Sequence, residues 1–162
     1  MKWYFAISES SLAFQSHDWP GLIKVAVASA LAHTQLAPHM LYDGQPNVLT
    51  RWLEVRGVAI IAHRAPFLGR FEAIAQSKEH GREWLAMAAG AFLRIDIPLI
   101  EREQEFVLYT DCDVMFQPGF TLDDIGRPKI FAAAGRKRLL RAPTMNSGVM
   151  LINGKRCLDR TL

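Results

Sequence analysis

An α/β fold with a largely parallel, helix-flanked sheet is the architecture this sequence predicts, and three observations predict it. Short apolar runs rich in branched and aromatic residues alternate with longer stretches of helical periodicity, the pattern of successive βα units. The 162 residues are 50% hydrophobic and 22% charged, which suits one soluble domain with a core of its own. One run, "FVLYTDCDVMF" at 106–116, begins without polar alternation, as a central strand covered on both faces would.

Taken in order, "WYFAI" (3–7) reads as the first strand. "GLIKVAVASALAH" (21–33) follows Pro20, a residue suited to a first helical turn, and reads as a helix. "HMLYD" (39–43) is the next strand. "NVLTRWLEVRG" (47–57) carries Val48, Leu49, Trp52, Leu53 and Val55 at helical spacing and stops at Gly57. "VAIIAH" (58–63) is a strand rich in β-branched residues. Residues 64–83 show no clear period and read in part as loop. "EWLAMAAGAFLRI" (83–95) is a buried helix limited by Pro98. "FVLY" is the central strand, "IFAAAG" (130–135) and "SGVMLIN" (147–153) are two more, and "GKRCLDRTL" (154–162) begins a helix whose apolar side has nothing after it to cover it. No repeat or interdomain linker stands out.

Composition excludes several classes. No apolar stretch is long enough to span a bilayer, and "MKWYFAISE" is too short in its apolar part for a secretory signal. The expectation is a cytoplasmic protein, with peripheral attachment at the inner face of a membrane left open. Two cysteines, Cys112 and Cys157, support neither a disulfide framework nor a zinc cluster. Residues 1–126 carry 10 Lys/Arg against 15 Asp/Glu, and residues 127–162 carry 9 against 1. Such a basic segment suits an anionic ligand or surface as well as an ordinary solvated face. It lacks a recognisable motif or interleaved aromatics, so no nucleic-acid partner is expected.

The informative feature is the aspartate pair. Residues two apart in an extended chain project the same way, so Asp111 and Asp113 offer two carboxylates to one site while Cys112 points away. Hard oxygen donors of this kind suit Mg²⁺ or Mn²⁺, which bridge protein carboxylates to a substrate diphosphate. Ligands in open α/β sheets sit beyond the carboxyl ends of the strands. The spacing itself carries little, because 8 Asp in 162 residues give about 0.4 such pairs by chance. The competing reading is a strand end whose carboxylates cap nearby amides; the position after a buried strand favours the metal site.

Together, "FLRIDIPLI", "FVLYTDCDVMF" and "MNSGVMLIN", in this order and spacing, resemble the retaining sugar transferases of glycosyltransferase family 8, which includes glycogenin and bacterial lipopolysaccharide galactosyl- and glucosyltransferases. The resemblance covers most of this chain and the amino-terminal part of the family's catalytic domain. It implies a GT-A fold, Rossmann-like and incomplete at its carboxyl end, making residues 1–162 a single truncated nucleotide-sugar-binding domain. It also implies a UDP-sugar donor, Mn²⁺ or Mg²⁺ on Asp111 and Asp113, and transfer of a hexose with retention to a glycan, lipid-linked or protein acceptor. By the same resemblance the backbone at Cys112 lies near the donor ribose, Arg94 reaches the sugar and diphosphate, and Asn146, Ser147 and Gly148 line the sugar pocket. The end of the first strand, with Ala6 and Ser8, is the place for the base. Family members commonly carry an aspartate-rich stretch there, whereas this chain has Ser8, Glu9 and Ser10. The family's further carboxylate or amide near the sugar and its late metal-binding histidine have no counterpart here, so the catalytic residues are expected beyond Leu162 and the chain alone is expected to bind donor weakly with little transfer.

Read alone, Arg94 serves equally well as a helix-surface ion pair with Asp96 or Glu101, Asn146 as a turn residue, and Ser8 as a helix-start residue. Two rival functions remain. "VLYTDCDVM" also resembles the haloacid-dehalogenase-like phosphatases, where Asp111 would be the phosphoryl-accepting nucleophile and Asp113 the acid/base, although that motif usually sits on a first strand. The other rival is an inactive, truncated nucleotide-binding or assembly domain. His63 ends a strand as an isolated histidine, and His17, His33, His39 and His80 show no ligand spacing. Trp3, Trp52 and Trp84 fit packing roles, and Trp19 fits a lid or loop packing. Asp123 and Asp124 fit a turn cap, and Arg136, Lys137, Arg138 and Arg141 a solvated loop or a phosphate contact.

Overall fold

The protein is described from a computed structural model, which covers residues 1–13, 17–76, 81–121, 126–135 and 145–158. Asp123, Asp124, His80 and the Arg136, Lys137, Arg138 and Arg141 cluster lie outside the described residues. The chain forms β1 (Lys2–Ser8), α1 (Glu9–Leu12), α2 (Trp19–His33), β2 (Ala37–Asp43), α3 (Val48–Glu54), β3 (Ala59–Ala62), α4 (Leu68–Gln76) and α5 (Gly81–Phe92). A 3₁₀ turn (Leu93–Asp96), α6 (Ile97–Ile100), β4 (Phe106–Thr110), β5 (Phe131–Gly135), β6 (Met145–Asn153) and α7 (Gly154–Leu158) complete it.

Among the described residues these strands make one six-stranded sheet in the order β3-β2-β1-β4-β6-β5. β1 pairs in parallel with both β2 and β4, β2 with β3, and β6 runs antiparallel to β4 and β5. The mixed α/β architecture with a mostly parallel sheet is therefore as the sequence predicts, and "FVLYT" takes the central place expected of it. Its direction of winding matters for function. The chain moves outward from β1 to β3 and returns to the other side of β1 as β4, so the strand order reverses between β1 and β4, where ligands of open α/β sheets bind.

Strand periodicity divides the core in two. Trp3, Phe5 and Ile7 face α2 and α3, packing with Ile23, Val27, Met40 and Leu53. Tyr4 and Ala6 face the opposite side with Leu68, Ala89, Leu93 and Ile97. Both layers are buried because a parallel sheet needs helices on both faces. No helix among the described residues is long and apolar enough to cross a membrane.

Three elements differ from expectation. Residues 64–83, read in part as loop, also hold a helix, since α5 begins at Gly81 and α4 spans Leu68–Gln76. Its period is diluted by Gly69, Arg70 and Glu72, and tertiary contact holds it: Phe71 stacks on Phe92 of α5 at 5.0 Å and meets Phe67 edge-on at 5.8 Å. α5 starts at Gly81 and gives way after Phe92 to the 3₁₀ turn, so the helix expected to run to Ile95 stops earlier. Pro98 does not end it but sits in the first turn of α6. α2 begins at Trp19 under an Asp18 cap, whose carboxylate accepts the Gly21 N–H at 3.0 Å.

Candidate active site

The strand carrying the aspartates ends one residue before them. β4 stops at Thr110, and Asp111 donates its N–H to the Gly148 carbonyl of β6 at 2.8 Å as a last rung. The pair thus sits on a turn and not on the extended strand the spacing suggested. Thr110 pins that turn from behind: its hydroxyl accepts the Trp3 indole N–H (2.9 Å) and donates to the Asp111 carbonyl (3.0 Å). The expected alternation of facing survives. Cys112 is buried and its thiol reaches the Ala6 carbonyl at 3.3 Å, whereas the Asp111 side chain is 44% exposed and Asp113 is exposed. Burial, then the charges of Asp111 and Asp113, push the Cys112 thiol far up, so it stays neutral.

Of the residues singled out in the sequence, Arg94 and Gly148 meet Asp111, and Asn146 joins them through Gly148. The Arg94 guanidinium lies 3.3 Å from Asp111 Oδ1, and neither Asp96 nor Glu101 is its partner. The Gly148 N–H donates to Asn146 Oδ1 at 2.9 Å. A β-carbon on Gly148 would fall 2.6 Å from Asp111 Oδ2 and 3.0 Å from Asn146 Oδ1, so this carboxylate is seated against bare backbone. Tyr109, which sequence reading passed over, donates its hydroxyl to Asp111 Oδ1 at 2.9 Å. Burial, then Asp111, drive its pKa well up, keeping it a donor. Its place two residues before Asp111, on the same side of the strand, was the available signal.

Asp111 and Asp113 line a hollow of about 150 Å³ together with Ala6, Trp19, Gly90 and Cys112. Trp19 thus borders the aspartates, which its position beside Pro20 did not reveal. Beyond the ends of β1, β2 and β3 lies a second cleft of about 790 Å³, lined in part by Ser10, Asp43, His63 and Ala89. Ser8 is 2% exposed at the junction, and its oxygen accepts the Ser11 N–H at 3.1 Å as the cap of α1. The hydroxyls of Ser11 and Ser10 lie 2.7 and 2.9 Å from it. Ser147 is half-buried between Asn146 and Gly148.

Two carboxylates on one accessible turn are hard donors that fit a small divalent cation, and such a cation takes its remaining positions from water and substrate phosphates. Among the described residues no third His, Cys, Asp or Glu joins them.

No known family model and no curated protein matches the sequence. The glycosyltransferase GlyE of Streptococcus pneumoniae TIGR4 superposes with a TM-score of 0.61 at 20% identity, over 99% of this chain and 35% of its own. The galactosyltransferase LgtC, solved with donor and acceptor sugar analogues, gives 0.67 at 17% identity, over 96% of this chain and 59% of its own. Mouse xyloside xylosyltransferase 1 gives 0.61 at 12% identity, over 99% and 69%. The chain has a GT-A fold. It spans 35% and 59% of the lengths of GlyE and LgtC. Within the GT-A fold, the aspartate turn occupies the reversal point of strand order, between the ends of β1 and β4.

Proposed function

We propose that this chain is the donor-binding portion of a retaining glycosyltransferase similar to family 8, taking a nucleotide-sugar, in first place a UDP-sugar, and using Asp111 and Asp113 to hold Mn²⁺ or Mg²⁺. The observation that carries the proposal is the convergence on Asp111: Arg94 from the 3₁₀ turn, Tyr109 from β4 and the Asn146–Gly148 segment of β6 all touch or abut one carboxylate. Arg94 and the Asn146–Gly148 segment reach Asp111 from distant parts of the sequence, a convergence that a local turn cap does not need.

The chemistry follows from the groups present. Cleavage of the sugar–phosphate bond develops negative charge on the departing nucleoside diphosphate, and groups that meet that charge accelerate the step. Arg94, already beside Asp111, is placed to transfer part of its pairing to a phosphate. Tyr109 keeps the Asp111 carboxylate oriented by donating to Oδ1, and Asp113 adds a second accessible carboxylate on the same turn. A divalent cation bound there supplies Lewis-acid stabilisation of the leaving diphosphate. Asn146 spends its carbonyl oxygen on Gly148 N–H and keeps its amide N–H groups for sugar hydroxyls. The Cys112 thiol is turned inward onto the Ala6 carbonyl and helps to hold the turn on β1.

Thermal unfolding with UDP, other nucleotides and nucleotide-sugars, with and without Mn²⁺, tests the reading. A ligand at 100 times its Kd adds about 2.7 kcal/mol of stability, and the gain is expected to require metal. Asp111→Asn and Asp113→Asn are expected to lose the metal-dependent part while unfolding normally without ligand. Identical responses in both variants and the wild type would refute the site. Trapping of an aspartyl phosphate on Asp111 would instead favour the phosphatase reading.

A further inference from the structure

The 790 Å³ cleft beyond β1, β2 and β3 offers few polar groups that are not already engaged. Arg64 holds both Asp43, at 3.2 Å, and Glu72. The Tyr42 hydroxyl accepts from Asn47 at 2.7 Å, and the Ser10 hydroxyl joins the α1 cap at Ser8. Glu9 and Gln45 are exposed. His63 differs from all of these. Its Nε2 lies 2.8 Å from Oδ2 of Asp96, a residue only 5% exposed, and its backbone N–H continues the ladder to Tyr42 O at 3.0 Å. A buried carboxylate accepting from Nε2–H fixes the ring, and in the neutral imidazole Nδ1 is then left as an acceptor.

The partner's position gives this pair its meaning. Asp96 and Arg94 lie two residues apart on the same 3₁₀ turn, one bonded to His63 in the cleft and the other to Asp111 at the aspartate turn. One four-residue turn therefore links the cleft to the proposed diphosphate subsite. Reading a nucleoside and its diphosphate together requires a fixed spacing.

Resting on the donor reading above, we propose that His63, positioned by Asp96, recognises the nucleoside of the donor, its Nδ1 accepting a ring N–H or amino group of the base. Asp96 is then a positioning residue acting through His63.

The test measures Kd by calorimetry for UDP, GDP, CDP and ADP with Mn²⁺, and for inorganic pyrophosphate with Mn²⁺, in the wild type, His63→Ala, His63→Gln and Asp96→Asn. His63→Gln keeps an N–H for Asp96 and guards against a variant that fails to fold. The expected result is an affinity loss of about tenfold for the best-bound nucleotide in each variant, a spread among the four bases that narrows toward unity, and pyrophosphate affinity within about twofold of wild type. A purely structural role would weaken pyrophosphate by the same factor as the nucleotides, and that result overturns the proposal. If the wild type binds the nucleotides and their ranking persists in the His63 variants, the donor reading stands and this inference falls. If the wild type binds none of them, both fall.

Discussion

The space opposite Asp111 is set by one missing methyl group. Gly148→Ala would place a β-carbon 2.6 Å from the carboxylate, against a strand rung that cannot retreat because Asp111 N–H is bonded to Gly148 O. Overpacking of this kind costs about 1–3 kcal/mol, and here the easier escape is rotation of the Asp111 side chain. Gly148→Ala is therefore expected to lower thermal stability modestly yet abolish Mn²⁺-dependent nucleotide binding. Binding equal to wild type in calorimetry would show that Asp111 does not need its observed orientation. The aspartate pair stood out in the sequence because it follows a buried strand, whereas Arg94, Asn146 and Gly148 were singled out only through the family resemblance, and the fold sets Arg94 and Gly148 against Asp111. Tyr109 was passed over although it stands only two residues before its partner Asp111. Trp19 and the His63–Asp96 pair were not legible in the sequence, since each meets its neighbours only through the fold: His63 and Asp96 are 33 residues apart. Arg94 shows both sides of this. Its sequence neighbours Asp96 and Glu101 were credible partners, and the fold sends them to His63 and Lys2 instead.

At the level of elements, α5 lies directly on the end of β1. A β-carbon on Gly90 would come within 2.8 Å of both Ile7 Cα and Ser8 N, atoms of a central strand that cannot yield. Gly90→Ala must therefore push α5 away from β1. α5 borders the small hollow through Gly90 and the large cleft through Ala89, and it leads directly into the turn bearing Arg94 and Asp96. The expected outcome is a loss of about 1–3 kcal/mol in chemical denaturation, with weaker binding of nucleotide and pyrophosphate alike. This pattern separates a displaced helix from the base-selective loss predicted for His63. Strands were read well from sequence because their apolar runs are short, dense and buried on both faces, as "FVLYT" shows. α4 was not, because its apolar positions Leu68, Phe71 and Ala75 are interrupted by Gly69, Arg70 and Glu72, and Phe71 meets Phe92 only in the fold. The 3₁₀ turn likewise has no sequence period of its own.

Across the whole molecule, the end of the sheet opposite the site is tied together by one buried acid. Glu101, 3% exposed, accepts the Lys2 ammonium (2.9 Å) and the Tyr4 hydroxyl (2.7 Å) of β1, and the backbone N–H groups of Glu103 (2.8 Å) and Gln104 (3.0 Å) ahead of β4. Burial alone would raise its pKa, but the Lys2 pair and these hydrogen bonds outweigh burial and bring it from the ordinary 4.5 to about 2. A carboxyl whose folded pKa lies below its unfolded value stabilises the fold fully above the unfolded pKa, and that contribution disappears as pH falls through the folded one. The window is thus from about pH 4.5 down to about 2. A shift of this size corresponds to roughly 3 kcal/mol, a sizeable part of a typical domain's 5–15 kcal/mol. Glu101→Gln is expected to cost up to about 3 kcal/mol at pH 7 and to flatten the acid limb, so that variant and wild type converge near pH 2. Lys2, whose pKa is raised chiefly by the hydrogen bond to Glu101, has the opposite sign: its contribution is complete below its unfolded pKa and fades as strongly alkaline pH approaches its folded one. Denaturant titrations at pH 7, 4 and 2.5 decide the matter. Parallel stability curves for wild type and Glu101→Gln across that range would mean that the β1 to β4 junction is held by packing, with the buried acid only an accessory to it.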